Sequence, residues 1–81
     1  MFRKTVKTTR LEILGQQYLV EFFEQPTLRG GRRYSCEISL GAMDRIILDD
    51  ESMVGLESKV ERLGPATVLS RLLASRSSFA A

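Results

Sequence analysis

The residues best suited to chemistry lie in the segment "TLRGGRRY", residues 27–34, where Arg29, Arg32 and Arg33 surround two adjacent glycines. Guanidinium groups bind phosphate oxygens in pairs, and backbone N–H groups can help them. The segment is not a phosphate-binding P-loop, because it lacks the Gly-Lys-Ser/Thr ending and precedes a strand pattern rather than a helix. We therefore expect a phosphate-contacting surface here, with a solvated turn between two strands as the alternative.

Residue types that support catalysis or metal binding are scarce. The chain has no histidine, the commonest general base and metal ligand, and one cysteine, Cys36. Cys36 lies on the apolar side of an alternating segment, which is more typical of a buried inert thiol than of a nucleophile. The acidic run 49–51 could hold a divalent cation, but capping of a following helix is the favoured interpretation. We expect no enzymatic activity, cofactor, metal site or small-molecule substrate.

Charge is distributed unevenly along the chain. Residues 1–33 carry seven basic and three acidic side chains, whereas residues 34–64 carry three basic and seven acidic ones. A basic half joined to an acidic half is consistent with one face that meets a polyanion and another that stays solvated. Ordinary surface charge with a chance asymmetry remains the alternative.

Length and composition limit the class of protein. Eighty-one residues, 43% hydrophobic and 27% charged, predict one folded domain spanning 1–81. No apolar run approaches the roughly 20 residues of a membrane span. The basic start "MFRKTVKTTR" lacks the apolar region of a secretory signal, and a lone cysteine indicates a reducing compartment. We expect a cytoplasmic protein without a membrane partner.

Four segments have the composition and alternation of β-strands. Gly15 marks a hairpin turn after the first, and Pro26 ends the second, which is apolar on both faces as in a central strand. Tyr34, Cys36 and Ile38 alternate with polar residues in the third and are expected to face the core. The four predicted strands are residues 5–14, 17–25, 33–39 and 43–50.

Helical spacing follows the strands. An apolar stripe predicts an amphipathic helix that Asp49 or Asp50 can cap, and Gly64 with Pro65 predicts its end. A second stripe predicts another short helix. The two stripes are Met53, Leu56, Val60 and Leu63, and then Val68, Leu69, Leu72 and Leu73. The order β-β-β-β-α predicts an α+β fold: a four-stranded antiparallel sheet with a C-terminal helix packed on one face, followed by a second short helix.

Part of the chain resembles a known family. The segment "GRRYSCEISLGAMDRIILDDESMVGLESKVERL", residues 31–63, resembles the PUR repeat and its relatives among Whirly-type and transcriptional-coactivator single-stranded-DNA-binding folds. The residues that match its basic loop, its aromatic-bearing strand and its last strand before the helix are, in turn, Gly31, Arg32 and Arg33, then Tyr34, then Arg45, Ile46 and Leu48. This resemblance implies binding of single-stranded DNA or RNA through the sheet and pairing of chains through the helices.

The leading hypothesis is accordingly a small, homodimeric, single-stranded nucleic-acid-binding protein. Bases would stack on exposed aromatic side chains of the sheet, for which Phe23 and Tyr18 are the candidates, while Phe22 and Tyr34 are expected in the core. The predicted phosphate contacts are Lys7, Arg10, Arg29, Arg32 and Arg33. The alternative is a protein-interaction or assembly module that dimerises through its C-terminal helices and has no nucleic-acid role.

Overall fold

The computed structural model describes the backbone of residues 3–80 and the side chains of residues 3–74. Within this part the chain forms β1 (Lys4–Ile13), β2 (Gln16–Pro26), β3 (Arg32–Ser39), β4 (Arg45–Asp50) and α1 (Met53–Ala80). The strands make an antiparallel sheet in the order β1-β2-β3-β4, which places β2 and β3 at its centre and leaves β1 and β4 as edges. The predicted α+β fold, with four antiparallel strands and a C-terminal helix, is confirmed.

The turn between β1 and β2 is a tight two-residue loop. Ile13 pairs with Gln16, and the two residues between them, Leu14 and Gly15, both have positive φ, at 53° and 79°. Positive φ at both central positions is the conformation of a type I′ turn, whose twist matches that of paired strands. Gly15 adopts it freely, whereas Leu14 adopts it against the steric preference of its side chain.

The core lies between α1 and one face of the sheet. Residues of this face alternate along each strand with residues of the opposite face, which we call the helix-free face. The buried core residues are Ile13, Val20, Phe22, Cys36, Ile38, Ile46, Leu56, Val60 and Val68. The expected inward orientation of Cys36 and Ile38 is confirmed, and Tyr34 packs half-buried against the same cluster. β2 is central, as its two apolar faces predicted.

A single helix replaces the two that were predicted. α1 continues through Gly64 and Pro65, so the expected helix end and second short helix are not formed. Gly64 is buried, and a Cβ atom on it would lie 3.3 Å from Leu11 and 3.8 Å from Ile38. The glycine therefore permits a close helix–sheet contact rather than ending the helix. It also lacks the Cβ that makes a helical conformation unfavourable before proline.

The start of α1 is capped by Ser52 rather than by an aspartate. The Ser52 hydroxyl accepts a hydrogen bond from the backbone N–H of Gly55 (3.0 Å), which is the usual role of a serine at this position. The side-chain Oδ1 of Asp50 accepts a hydrogen bond from the backbone N–H of Ser52 (3.1 Å). This bond, together with the hydrogen bond from Lys59, lowers the pKa of Asp50. Asp50 therefore supports the cap from two positions before it.

The β1–β2 turn gives a direct test of this architecture. Replacing Leu14 with Asn should raise the free energy of unfolding by about 0.5–1 kcal/mol, because Asn tolerates positive φ far better than a γ-branched residue. Urea denaturation measures the change. Leu28→Asn is a matched control, since Leu28 is equally exposed in a loop but does not have positive φ. An equal effect of the two substitutions, or a loss of stability in Leu14→Asn, contradicts the type I′ turn.

Candidate interaction surface

The glycine-rich loop between β2 and β3 is closed by its own hydrogen bonds. The N–H of Gly30 donates to the carbonyl of Thr27 (3.2 Å), and Gly31 donates to the Thr27 hydroxyl (3.0 Å). Thr27 in turn donates its N–H to the carbonyl of Gly31 (3.0 Å). Of the two glycines, Gly30 has positive φ and Gly31 does not. The loop is therefore a hydrogen-bonded turn that presents Arg29 at its tip.

The arginines that follow this loop lie on opposite sides of the sheet. The register of β2 and β3 places Arg32 on the same side as α1, where it forms an ion pair with Glu24 (3.3 Å). Arg33 lies on the helix-free face and forms an ion pair with Asp49 (3.3 Å). Because successive residues of a strand point to opposite faces, the adjacent pair cannot contact one phosphate from one face.

The other predicted phosphate contacts are also separated. Lys7 lies on the α1 side of β1 and forms an ion pair with Glu57 of the helix (2.5 Å). Arg10 lies on the helix-free face, opposite Leu19 of β2. Within the described side chains, neither Arg10 nor Arg29 has an ion pair or hydrogen bond. The sheet thus distributes the five predicted cations over its two faces and a loop.

The helix-free face is balanced in charge. It carries four arginines and four acidic residues: Arg3, Arg10, Arg33 and Arg45 with Glu12, Glu21, Glu37 and Asp49. A surface that binds nucleic acid without other help needs an excess of positive charge to neutralise phosphates. The charge asymmetry along the sequence therefore does not make the helix-free face basic.

Neither aromatic candidate is placed for base stacking. Phe23 was expected to be exposed, but it is only 7% exposed, because the guanidinium of Arg3 covers its ring at 3.9 Å from the ring centre. Tyr18 lies on the α1 side of the sheet and packs half-buried against the core. The expectation of an open aromatic on the helix-free face is wrong for Phe23, since an arginine at the start of the chain shields it.

Glu37 is the one buried acidic residue among the described side chains. It is 6% exposed at the centre of the helix-free face and accepts hydrogen bonds from Arg3 and from Arg45, the latter at 2.9 Å. These two bonds, that of Arg3 above all, lower the pKa of Glu37 below its ordinary value. They also offset the repulsion from Glu21, which lies directly opposite Glu37 on β2. This cluster holds the N-terminal end of β1 on the sheet.

The one cysteine and the acidic side chains of the described residues are not grouped in a way that would bind a metal ion. Burial raises the pKa of the Cys36 thiol, which keeps it protonated and unreactive. Residues 3–74 contain no group of three or more histidine, cysteine or acidic side chains placed to hold a metal ion. The described helix is also not long and apolar enough to cross a membrane.

Comparisons with known proteins do not add to this description. No family model, no curated protein and no solved structure gave a significant match to the chain. The resemblance to the PUR repeat and the binding of nucleic acid therefore stay predictions, and the surface has to be interpreted from its own geometry.

The β1 edge is the most open element of the sheet. From Lys4 to Arg10 every residue is exposed, Leu11 is half-buried, and only Ile13 at the end is buried. A bulge between Thr5 and Lys7 interrupts the pairing with β2, but residues 8–13 pair regularly. This regular half of the strand is therefore suited to accept a further strand.

The hairpin turn determines which backbone groups of β1 face outward. A two-residue loop closes on a hydrogen-bonded pair, here Ile13 with Gln16, so Ile13 and every second residue before it bond to β2. The N–H and C=O groups of Thr8, Arg10 and Glu12 consequently point away from the sheet. They are the hydrogen-bonding groups that an added strand would use.

A groove runs beside this edge, between β1 and the first half of α1. Leu11, Phe22 and Val60 line it, with Leu11 the most exposed of the three, and the Lys7–Glu57 ion pair crosses it. Val54 also lines the groove and is 77% exposed. Side chains of a strand added to β1 would reach this groove from the α1 side.

Sequence reasoning did not identify the edge as a candidate site. The strand itself was predicted, but an edge position follows from strand order, which alternation within a strand does not contain. A signal was nevertheless present, because the threonine-rich and charged run "KTVKTTR" lacks the two apolar faces expected of a central strand.

The Glu37 cluster predicts a specific dependence of stability on pH. Because the pKa of Glu37 is lowered on folding, its contribution is complete above the ordinary glutamate value of 4.5 and is lost as the pH falls through the folded value. Replacing Glu37 with Gln should lower the free energy of unfolding by about 1–3 kcal/mol at pH 7, and this deficit should shrink at pH 3.

Urea denaturation at the two pH values measures the deficit. Glu61→Gln is the control, since Glu61 is exposed on α1 and should show no comparable deficit at either pH. A deficit for Glu37→Gln that is unchanged at pH 3 would show that the two arginines do not act on the Glu37 charge.

Proposed function

We propose that this chain is a non-enzymatic protein-interaction module that binds an extended segment of a polypeptide by pairing it with β1. The observation that carries the proposal is the regular, exposed half of β1, residues 8–13, with three outward-facing sets of backbone groups. A strand added to such an edge gains main-chain hydrogen bonds, while pockets beside the edge select its side chains.

The opposite edge is less suited to this role. β4 has six residues against ten in β1, and α1 makes most of its sheet contacts with β4. Lys59 of the helix donates a hydrogen bond to the backbone carbonyl of Asp49 (2.7 Å) and forms an ion pair with Asp50 (3.3 Å). A short edge whose backbone is bonded to helix side chains is protected against strand addition, whereas no described side chain of α1 hydrogen-bonds to the backbone of residues 8–12.

The groove beside β1 supports selection among protein segments. Its apolar lining suits apolar side chains at alternate positions of an added strand, since alternate residues point to the same face. Its charged lining residues are balanced, two basic and two acidic: Lys7, Arg10, Glu57 and Glu61. Selection therefore rests on the apolar positions rather than on net charge.

Nucleic-acid binding has less support from the same geometry. The predicted phosphate contacts are divided between the two faces of the sheet and the β2–β3 loop, and Lys7, Arg32 and Arg33 already have carboxylate partners. Dimerisation through the helix is a further prediction, for which exposed Leu69 and Leu73 are suitable contact residues.

Proline substitution tests the proposed use of β1. Arg10→Pro removes an outward N–H without removing a hydrogen bond to β2, so the fold should persist, as it does for prolines on natural edge strands. The wild-type protein is used to select binders from a phage-displayed library of random decapeptides. We expect the selected peptides to lose at least tenfold in affinity for Arg10→Pro, because a central main-chain hydrogen bond is lost and the ring blocks approach.

Arg10→Ala is the matched control, since it removes the same side chain and keeps the N–H. It should bind these peptides within a few-fold of wild type. Failure of a monomeric chain to select any peptide, or equal binding by Arg10→Pro and Arg10→Ala proteins that are both folded by circular dichroism, contradicts strand addition at β1.

A further inference from the structure

The exposed side chains of β1 are complementary to a second copy of the same strand. Arg10 and Glu12 lie two residues apart on the helix-free face, and neither has an ion pair or hydrogen bond within the described side chains. Leu11, between them, points to the α1 side and is only half-buried. When two copies of this strand pair antiparallel about the leucine, the arginine of each copy lies opposite the glutamate of the other.

From this arrangement we infer that the partner of β1 is β1 of a second copy, paired antiparallel about a two-fold axis at Leu11. The inference rests on the proposed strand addition and names its partner. In this register Arg10 of one copy lies opposite Glu12 of the other, and the same pair recurs on the other side of the axis. Opposite charges directly across an antiparallel pair stabilise it.

Backbone geometry selects the same register independently of charge. Arg10 and Glu12 both direct their N–H and C=O groups outward, so each can exchange two hydrogen bonds with the residue opposite. Leu11 directs its backbone groups to β2, so it belongs at a position without hydrogen bonds, where the side chains of opposing residues come closest. The Leu11 pair at the axis meets this requirement.

Neighbouring registers are less favourable for identifiable reasons. An axis at Arg10 places two arginines opposite each other, and an axis at Glu12 does the same with two glutamates. An axis at Thr9 brings the bulge between Thr5 and Lys7 into the paired region, where it interrupts the ladder. Compared with these three axes, an axis at Leu11 places unlike charges opposite each other and keeps the bulge out of the paired region.

The resulting assembly is a continuous eight-stranded sheet. The two-fold axis runs perpendicular to the sheet, so both copies place their helices on the same side. The two grooves between β1 and α1 then meet along the axis, and the two Leu11 side chains bury each other between them. Isologous pairing of this kind closes after two copies, because each β1 edge is used once.

Charge exchange tests the register. Arg10→Glu makes both positions acidic and Glu12→Arg makes both basic, so each variant opposes like charges in its own homodimer. For each variant alone, we expect the dissociation constant of the homodimer to be at least roughly tenfold higher than that of wild type. Sedimentation equilibrium measures this constant. An equimolar mixture of the two variants restores both unlike pairs and should form a heterodimer of near wild-type affinity, identified by native mass spectrometry.

The mixture distinguishes pairing between copies from a contact within one chain. Each chain carries only one of the two substitutions, so Arg10→Glu and Glu12→Arg can complement each other only between two chains. Circular dichroism of each variant establishes that it is folded. Homodimers of either variant as stable as wild type, or a mixture that forms no heterodimer, overturn the inference.

A wild-type chain that stays monomeric to millimolar concentration also overturns it. If such a chain still binds peptides in a manner sensitive to Arg10→Pro, strand addition at β1 stands and its partner is another protein. If it binds no peptide, both proposals fail.

Discussion

The close contact between α1 and the sheet at Gly64 determines which surfaces of this protein remain open. A glycine without a Cβ lets the helix approach Leu11 and Ile38, and ion pairs with Asp44 and Asp50 hold the helix near β4. A single helix placed in this way covers the central part of one sheet face and the β4 edge, and leaves Lys4 to Arg10 of β1 exposed. The helix-free face and the β1 edge are therefore the two surfaces of the sheet that α1 leaves exposed to solvent or available to a partner.

The two open surfaces are stabilised in different ways. At the centre of the helix-free face, Arg3 and Arg45 surround Glu37, and Arg3 shields Phe23, so the charges there are paired within the fold. At the β1 edge, the outward backbone groups have no partner that the fold supplies within residues 8–12. A surface whose charges are already paired gains less from a ligand than one whose hydrogen-bonding groups are free. This contrast is why the edge, and not the sheet face, carries the proposed function.

Much of the fold followed from the sequence, because alternation and helical spacing are local properties. Cys36 and Ile38 were placed in the core and β2 at the centre of the sheet on that basis, and both predictions are confirmed. Gly64 and Pro65 misled the prediction, since their usual effect on a helix was outweighed by a tertiary contact. Phe23 was misplaced for a related reason: parity assigned it to the right face, but its cover by Arg3 joins residues far apart in sequence. Strand order, and hence the exposed edge, depends on long-range pairing that no local pattern contains.

Amide hydrogen exchange along β1 tests the central claim most directly, because it measures each backbone N–H separately. We predict that the amides of Thr9, Leu11 and Ile13 are protected at every protein concentration, since they bond to β2. The amides of Arg10 and Glu12 should exchange rapidly at low concentration and become protected as the concentration rises. Fast exchange of Arg10 and Glu12 under conditions where the protein is assembled would contradict pairing at this edge.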